Sequence, residues 1–343
     1  MNETKHVVAV TGGDPNGIGY EVTLKALADE AVSRLLRPLL VGSYEVFDYY
    51  NRRLPQPLRL AAVPDPELVL LDDEVIKVWQ PQAASEFEPA PGRVTRSGGA
   101  VAGASILAAG RLAQRGVVEA LVTAPVSKEA LVLAGYPSPG HTELLASLCN
   151  DIEAVTMLVW EKLRCALYTL HCPLRAAAEA LERDRIVRKL RVVDAALNEW
   201  FGIEEARIAL CGLNPHASDG GLFGSEEIAI LTPTVQKASK EGLHISGPAA
   251  PELLFQEWNT YDCIFALYHD QGVVPMMVAS KGQACYLTAG LPFLRVGPGH
   301  GTAFDIAGKM IADGTKMRGA LNLAAILLMQ RRQRRGADAR ITN

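Results

Sequence analysis

Residues 261–275 read YDCIFALYHDQGVVP. The apolar run from Asp262 to Tyr268 has the length of a strand, is rich in aromatics and is bounded by polar residues. That predicts a buried strand delivering His269, Asp270 and Gln271 to its carboxyl end. In open α/β sheets ligands sit at that end of a strand. Two other segments have the same form. Ala166 to Leu170 runs into His171 (ALYTLHCP), and Arg207 to Leu213 runs into His216 (RIALCGLNPHASDGG). Three strand-then-histidine segments suit a three-histidine metal site with positions left open for substrate oxygens. A histidine after a strand is more often a hydrogen-bonded core or rim residue. The three lack local H-x-x-x-H spacing, so at this level both readings stand.

The chain has 343 residues, longer than a typical single core, and two domains are expected. Hydrophobic residues make up 49% and charged residues 21%, an ordinary balance for a soluble enzyme. A net charge of −4 gives no electrostatic footprint for nucleic acid. The basic tail at Arg331, Arg332, Arg334 and Arg335 reads as a solvated helix end whose cations complement the helix dipole. Six cysteines (Cys149, Cys165, Cys172, Cys211, Cys263, Cys285) lie mostly in apolar runs with no C-x-x-C pair. Buried, reduced thiols in a cytoplasmic protein are expected, with Cys172 a packed neighbour of His171. The N-terminus enters a strand with no signal-peptide pattern, and no apolar run is long enough to span a bilayer, so no membrane partner is expected.

From the start, Val7 to Thr11 is a β-branched strand, followed by GGDPNGIGYE and a helix from about Glu21. Its glycines permit a tight turn at a helix N-terminus, a place that favours anions. As a dinucleotide fingerprint it fails, because GDPNGIG is not G-x-G-x-x-G and Asp14 would repel a pyrophosphate. A loop lining an active site is the better reading. Ser97 to Arg115 is an alanine-rich helix, and Ala120 to Ala124 a buried strand ending in PVSK. In GYPSPGHTE (135–143), His141 and Thr142 precede a helix beginning near Leu144, with Thr142 as a candidate N-cap. Glu153 to Leu170 holds a hairpin, and Arg175 to Phe201 one charged amphipathic helix with a solvated face. Ser225, Glu226 and Glu227 form a good helix N-terminus, and a last helix covers roughly Met317 to Arg331.

Taken together, GDPNGIG, TAPVSK, GHTE, HCPL, NPHASDGGLFGSEE, YHDQG, GLPFLR and HGTAFDIAGK give the chain a resemblance to the 4-hydroxythreonine-4-phosphate dehydrogenase family. Each motif alone is weak; the set is specific and covers nearly the whole chain. The resemblance implies a two-domain isocitrate/isopropylmalate dehydrogenase-like fold, three-layer α/β/α, with the active site in the interdomain cleft. Residues 1–128 with 290–343 would form the cofactor-side domain, and 129–289 a domain carrying metal ligands and the dimer interface. It also implies a divalent metal on His171, His216 and His269, zinc first, with magnesium, manganese or cobalt as alternatives. Both subunits of a homodimer would contribute ligands. Substrate would be touched by His141, Thr142 and Arg295, and NAD or NADP by Gly301, Thr302, Ala303 and Asp305. His141 and Asp270 are the candidate catalytic residues, Asp270 orienting a ligand histidine or assisting proton transfer.

Two positions depart from the family pattern. Met277 stands where the family has a lysine, and Tyr286 where it has an asparagine, both substrate contacts; Gly299 replaces a frequent Asp. Losing the lysine removes a cation suited to an anionic group. The expected activity is metal-dependent, NAD(P)-linked oxidation of a secondary alcohol in a small hydroxy acid, with decarboxylation, as on 4-phosphohydroxy-L-threonine in pyridoxal phosphate biosynthesis. The alternatives are the same chemistry on a sugar-acid phosphate or a cis-dihydrodiol carboxylate, and a non-catalytic relative that binds metal and ligand.

Overall fold

The computed structural model describes residues 5–70, 75–82, 87–137 and 140–341. Residues 138 and 139 of the GYPSPGHTE loop therefore lie outside the described residues. The chain divides into two compact units: Met1–Ile152 with Leu291–Met329, and Glu153–Gly290 with Gln330–Asn343.

The first unit carries β1 (His6–Thr11), β2 (Leu36–Val41), β3 (Leu60–Val63), β4 (Ile76–Trp79) and β5 (Ala120–Thr123). A late strand, β12 (Leu294–Pro298), joins them. Their order is β3-β4-β2-β1-β5-β12, and every neighbouring pair is parallel. Such a sheet needs both faces covered, and β1 and β5 accordingly have no exposed residue. The helices are α1 (Gly19–Leu27), α2 (Glu30–Leu35), α3 (Tyr44–Asn51), α4 (Arg96–Gln114), α5 (Lys128–Leu133) and α6 (His141–Leu148). Asp29, Ser43, Thr95 and Ser127 cap α2, α3, α4 and α5 through side-chain oxygens. The small residues of α4 bring it against α5 and α6, so Ala102, Ile106 and Ala109 share a core with Leu131, Leu144 and Leu145. Residues 129–152, which the sequence reading groups with the second domain, pack here for that reason.

The second unit holds β6 (Val155–Trp160), β7 (Leu163–Leu167), β8 (Ile208–Cys211), β9 (Ile245–Ala249), β10 (Cys263–Ala266) and β11 (Cys285–Ala289). They run in the order β11-β6-β7-β10-β8-β9. β6 is antiparallel to both neighbours, while β7, β10, β8 and β9 are mutually parallel. The helices are α7 (Leu174–Glu179), α8 (Arg183–Phe201), α9 (Thr232–Lys240), α10 (Pro251–Gln256) and α11 (His269–Ala279). The single helix expected over 175–201 is broken. Glu182 takes an extended backbone, and its carboxylate accepts from the N–H groups of Asp184 and Arg185 to start α8 afresh.

The closing helix α12 (Thr315–Ile341) outruns the expected end at Arg331. Its arginines are not simply solvated. Arg331 pairs with Glu199 and lies over Trp200, and Arg334 donates to the carbonyls of Glu199 and Trp200 at the end of α8. Among the described residues no helix is long and apolar enough to cross a membrane. Five cysteines are buried, but Cys172 is exposed instead of packed.

Candidate active site

In the second unit, three adjacent parallel strands end on the same edge. His171 follows β7, His269 follows β10 and His216 follows β8. The YHDQG segment shows how sequence builds this edge. Tyr268 is the last extended residue, and His269 opens α11 directly. Gln271, buried, accepts from the N–H of Leu267 and donates to the carbonyl of Gly212, joining the exits of β10 and β8 where the ladder stops. Gly272 has no alternative, since a Cβ there would lie 2.5 Å from Leu167 and 2.7 Å from the Cys165 sulfur.

The rings of His171 and His269 stand 5.9 Å apart, centroid to centroid. Both line an open cavity of about 430 Å³ with Thr169, Cys172, Tyr268 and Asp270. His269 Nδ1 is 2.6 Å from a carboxylate oxygen of Asp270. A carboxylate only accepts, so Nδ1 carries the hydrogen and Nε2 is left with its lone pair, the arrangement of a metal-ligating imidazole.

His216 is placed differently. It begins a left-handed turn in which His216, Ala217, Ser218, Asp219 and Gly220 all have positive φ. Each of the four non-glycine residues costs roughly 1–2 kcal/mol in that conformation. The ring lies beside Phe223, with Glu252 3.7 Å from Nδ1, and it does not line the His171/His269 cavity. Among the described residues no three His, Cys, Asp or Glu side chains of one chain stand together as a metal-binding group. Two imidazoles with open solvent before them suit two positions of a divalent site.

In the first unit the chemistry is buried. Arg295, in β12, is 6% exposed, and its Nε and Nη2 donate to the hydroxyl of Thr123 on β5 at 3.1 and 2.6 Å. Desolvation lowers its pKa to about 10, against the pull of Glu143, so it stays cationic at neutral pH. His141 opens α6 with Gly140 as N-cap, so the expected start near Leu144 with Thr142 as cap is corrected. Thr142 lies in the first turn of that helix. His141 Nε2 is 3.1 Å from the carbonyl of Ala124. Because that carbonyl can only accept, Nε2 carries the hydrogen and Nδ1 is the open acceptor. Desolvation, then the charge of Arg295, holds the His141 pKa well below its ordinary value and keeps the ring neutral.

The GDPNGIG and HGTAFDIAGK loops are packed together. Ile18 donates to the carbonyl of Thr302, and a Cβ on Gly17 would come within 2.8 Å of the same oxygen. Ala303 has φ 43°, while Gly301 and Asp305 are exposed. His300 Nδ1 contacts the Gly301 carbonyl, and its buried Nε2 has no hydrogen-bond partner among the described residues. An orphaned polar atom beside this turn suits a polar ligand edge. Asp14 is fully buried, and burial raises its pKa to about 6.

Met277 and Tyr286 each pack on the apolar cluster around Leu158, Leu167 and Ile264. Sequence reasoning assigns no site role to Asp14, Lys128 or Gln271, and reads Glu227 only as part of a helix N-terminus. Lys128, its pKa lowered by desolvation, sits within TAPVSK, and Gln271 within YHDQG, so motif membership was the available signal for both. Nothing local in SEE marks Glu227 as buried.

The sequence profile of the family described as pyridoxal phosphate biosynthetic protein PdxA matches residues 34–324. The 4-hydroxythreonine-4-phosphate dehydrogenase of Trichlorobacter lovleyi is 36% identical over 336 residues, covering 96% of this chain and 100% of that protein. The chain belongs to the PdxA family. The D-threonate 4-phosphate dehydrogenase of Pectobacterium atrosepticum, at 38% identity, covers 93% of the chain and 98% of its own length. The crystal structure of 4-hydroxythreonine-4-phosphate dehydrogenase from Klebsiella pneumoniae superimposes with a TM-score of 0.85 at 36% identity, over 95% of this chain and 99% of that one. The mixed α/β fold of this chain is thus that of PdxA proteins, a family of oxidoreductases.

Proposed function

We propose that this PdxA-family protein oxidises the secondary alcohol of a small hydroxy acid, using a divalent cation and NAD or NADP, with loss of carbon dioxide from the oxidised product. The observation that carries the reading is the His171/His269 pair with Asp270 behind it. When bound, the cation lowers the pKa of a hydroxyl it touches and the nicotinamide accepts the hydride.

The rest falls to the chain's own residues. His171 and His269 would hold the cation, and Asp270 keeps Nε2 of His269 available. Arg295, desolvated and braced by Thr123, would pair with a carboxylate or phosphate through its planar fork. Neutral His141 offers Nδ1 to a substrate hydroxyl as acceptor. The loop of Gly301, Thr302, Ala303 and Asp305, beside the orphaned His300 Nε2, would take the cofactor. His216 completes the cation site from a second copy of the chain in this reading. Exposed apolar side chains support such a partner: Leu222 is 72% and Val278 75% exposed, and Val274 and Val278 share one face of α11.

The first substrate is 4-phosphohydroxy-L-threonine, in keeping with the Trichlorobacter lovleyi relative. A second reading, the same oxidation of a different acid, is favoured by Met277 and Tyr286, which pack on an apolar cluster and bring no cation to these two positions. A sugar-acid phosphate, in keeping with the Pectobacterium relative, and a cis-dihydrodiol carboxylate are its two candidates.

The test is protein loaded with Zn²⁺, Mg²⁺, Mn²⁺ or Co²⁺, offered NAD or NADP and these three acids, with reduced cofactor followed. Reduction with at least one acid, abolished by a chelator, is expected. Turnover of 4-phosphohydroxy-L-threonine as fast as any other would eliminate the second reading. No reduction with any acid in metal-loaded protein would overturn both.

A further inference from the structure

We propose that Glu227 is a positioning residue for His216, locking the left-handed turn that presents the imidazole; the inference rests on the metal reading above. Glu227 is 2% exposed, and among the described residues its carboxylate forms no ion pair with a cationic side chain. Its Oε1 accepts the backbone N–H groups of both Leu213 and Asn214 at 2.7 Å, and its Oε2 accepts from Asn214 Nδ2 at 2.9 Å. Burial alone would push this carboxyl up; the hydrogen bonds from Asn214 and Leu213 outweigh it and hold the group below its ordinary value. Glu227 is therefore a buried carboxylate whose partners are the two residues just ahead of Pro215 and His216.

What those bonds accomplish follows from the backbone. Past Gly212 the chain has left β8, and the N–H groups of Leu213 and Asn214 have no strand to pair with. Glu227 gives both an acceptor, the job a second strand would otherwise do. Asn214, so held, turns its own carbonyl to the N–H of Ala217, the second residue of the left-handed run. Glu226 grips the Asn214 amide from its other side at 2.8 Å, and Phe223 donates to the carbonyl of Ser218 to close the turn. A conformation unfavourable for four consecutive non-glycine residues persists only where its surroundings over-determine it. Glu227 is the buried charge in that surround. Without it His216 would sit on a loop free to relax to ordinary backbone angles, while the His171/His269 pair would be untouched.

Zn²⁺ binding by calorimetry, on the full-length protein, separates this from a general structural role. Glu227→Ala should weaken binding about 10- to 100-fold, the usual effect of removing a group that orients a ligand. Glu227→Gln, which retains an oxygen for Leu213 and Asn214, should recover part of the loss. The deciding comparison is a cycle with His216→Ala. In that background Glu227→Ala should cost nothing further, since the ligand it positions is gone, whereas a general weakening of the unit would add to the first loss. Hydrogen exchange should show the Ala217 and Phe223 amides losing protection in Glu227→Ala. Wild-type protein that binds Zn²⁺ no better than Glu227→Ala, or additive losses in the cycle, would overturn the proposal alone. Wild-type protein that holds no divalent ion would remove the metal reading and this inference with it.

Discussion

The two units carry chemistry of opposite character. In the first, a guanidinium 6% exposed is braced on a neighbouring strand beside a desolvated, neutral histidine. In the second, the histidines reach water: the side chain of His216 is 71% exposed and that of His269 37%. A buried cation must be held by its neighbours before any ligand arrives, because leaving it unpaired is expensive. An imidazole awaiting a metal ion can remain solvated, and its ligand set can be completed from outside the chain. Under the function proposed above, the first unit would be a preformed receptor for an anion, and the second a set of donors that needs a cation and a partner to become a site.

His269→Ala should break the comparison most severely. If the second unit is a cation site, the variant loses bound Zn²⁺, and kcat/KM falls by at least about a thousandfold, on the several kcal/mol a Lewis acid supplies. Retained activity with an unchanged metal content would mean that the exposed imidazoles are surface residues. Arg295→Met is the matching change in the first unit. Losing a charge-assisted hydrogen bond, at about 1.5–3 kcal/mol, should lower kcat/KM by about 10- to 100-fold. Zn²⁺ affinity should not move. If it does, the separation of roles between the units is wrong.

Much of this was legible in the chain because apolar runs followed by histidine are a strong local signal. The run of Cys263 to Ala266 is wholly buried, and His269 stands where its strand ends. What was not legible depends on closure in space. The break at Glu182 hides in a charged amphipathic pattern that a single helix satisfies equally well. Thr142 looks like an N-cap because the backbone preceding it cannot be read from the sequence, and the structure gives that place to Gly140. The left-handed turn at His216 could not be foreseen, as four of its five residues ordinarily avoid that region. The convergence of two imidazoles without the third is invisible to spacing, since residue separation along the chain carries no information on where a strained loop points.

The subtlest contrast lies in what the first unit gives up to keep its loop charged. Asp14 is fully buried, with one carboxylate oxygen taking the Asn16 N–H and a pKa raised to about 6 by desolvation. The unfolded chain releases this proton near the ordinary value of about 3.9, so between roughly pH 4 and pH 6 the native state binds the proton more tightly. Stability from this group is complete below that window and is lost as pH rises through it, by about 2–3 kcal/mol in all. Asp14→Asn retains a carbonyl for Asn16 and removes the titration. Urea unfolding monitored at several pH values should then show a difference between wild type and variant that shifts in favour of the variant from pH 4 to pH 7, whatever constant offset the substitution brings. A buried carboxyl that lowers stability at neutral pH, in the loop that also receives Thr302, is the pattern of a group retained for function. A pH-independent difference would mean that Asp14 ionises alike in the folded and unfolded chain, and this loop of the first unit would then contain no buried group poised to titrate near neutrality.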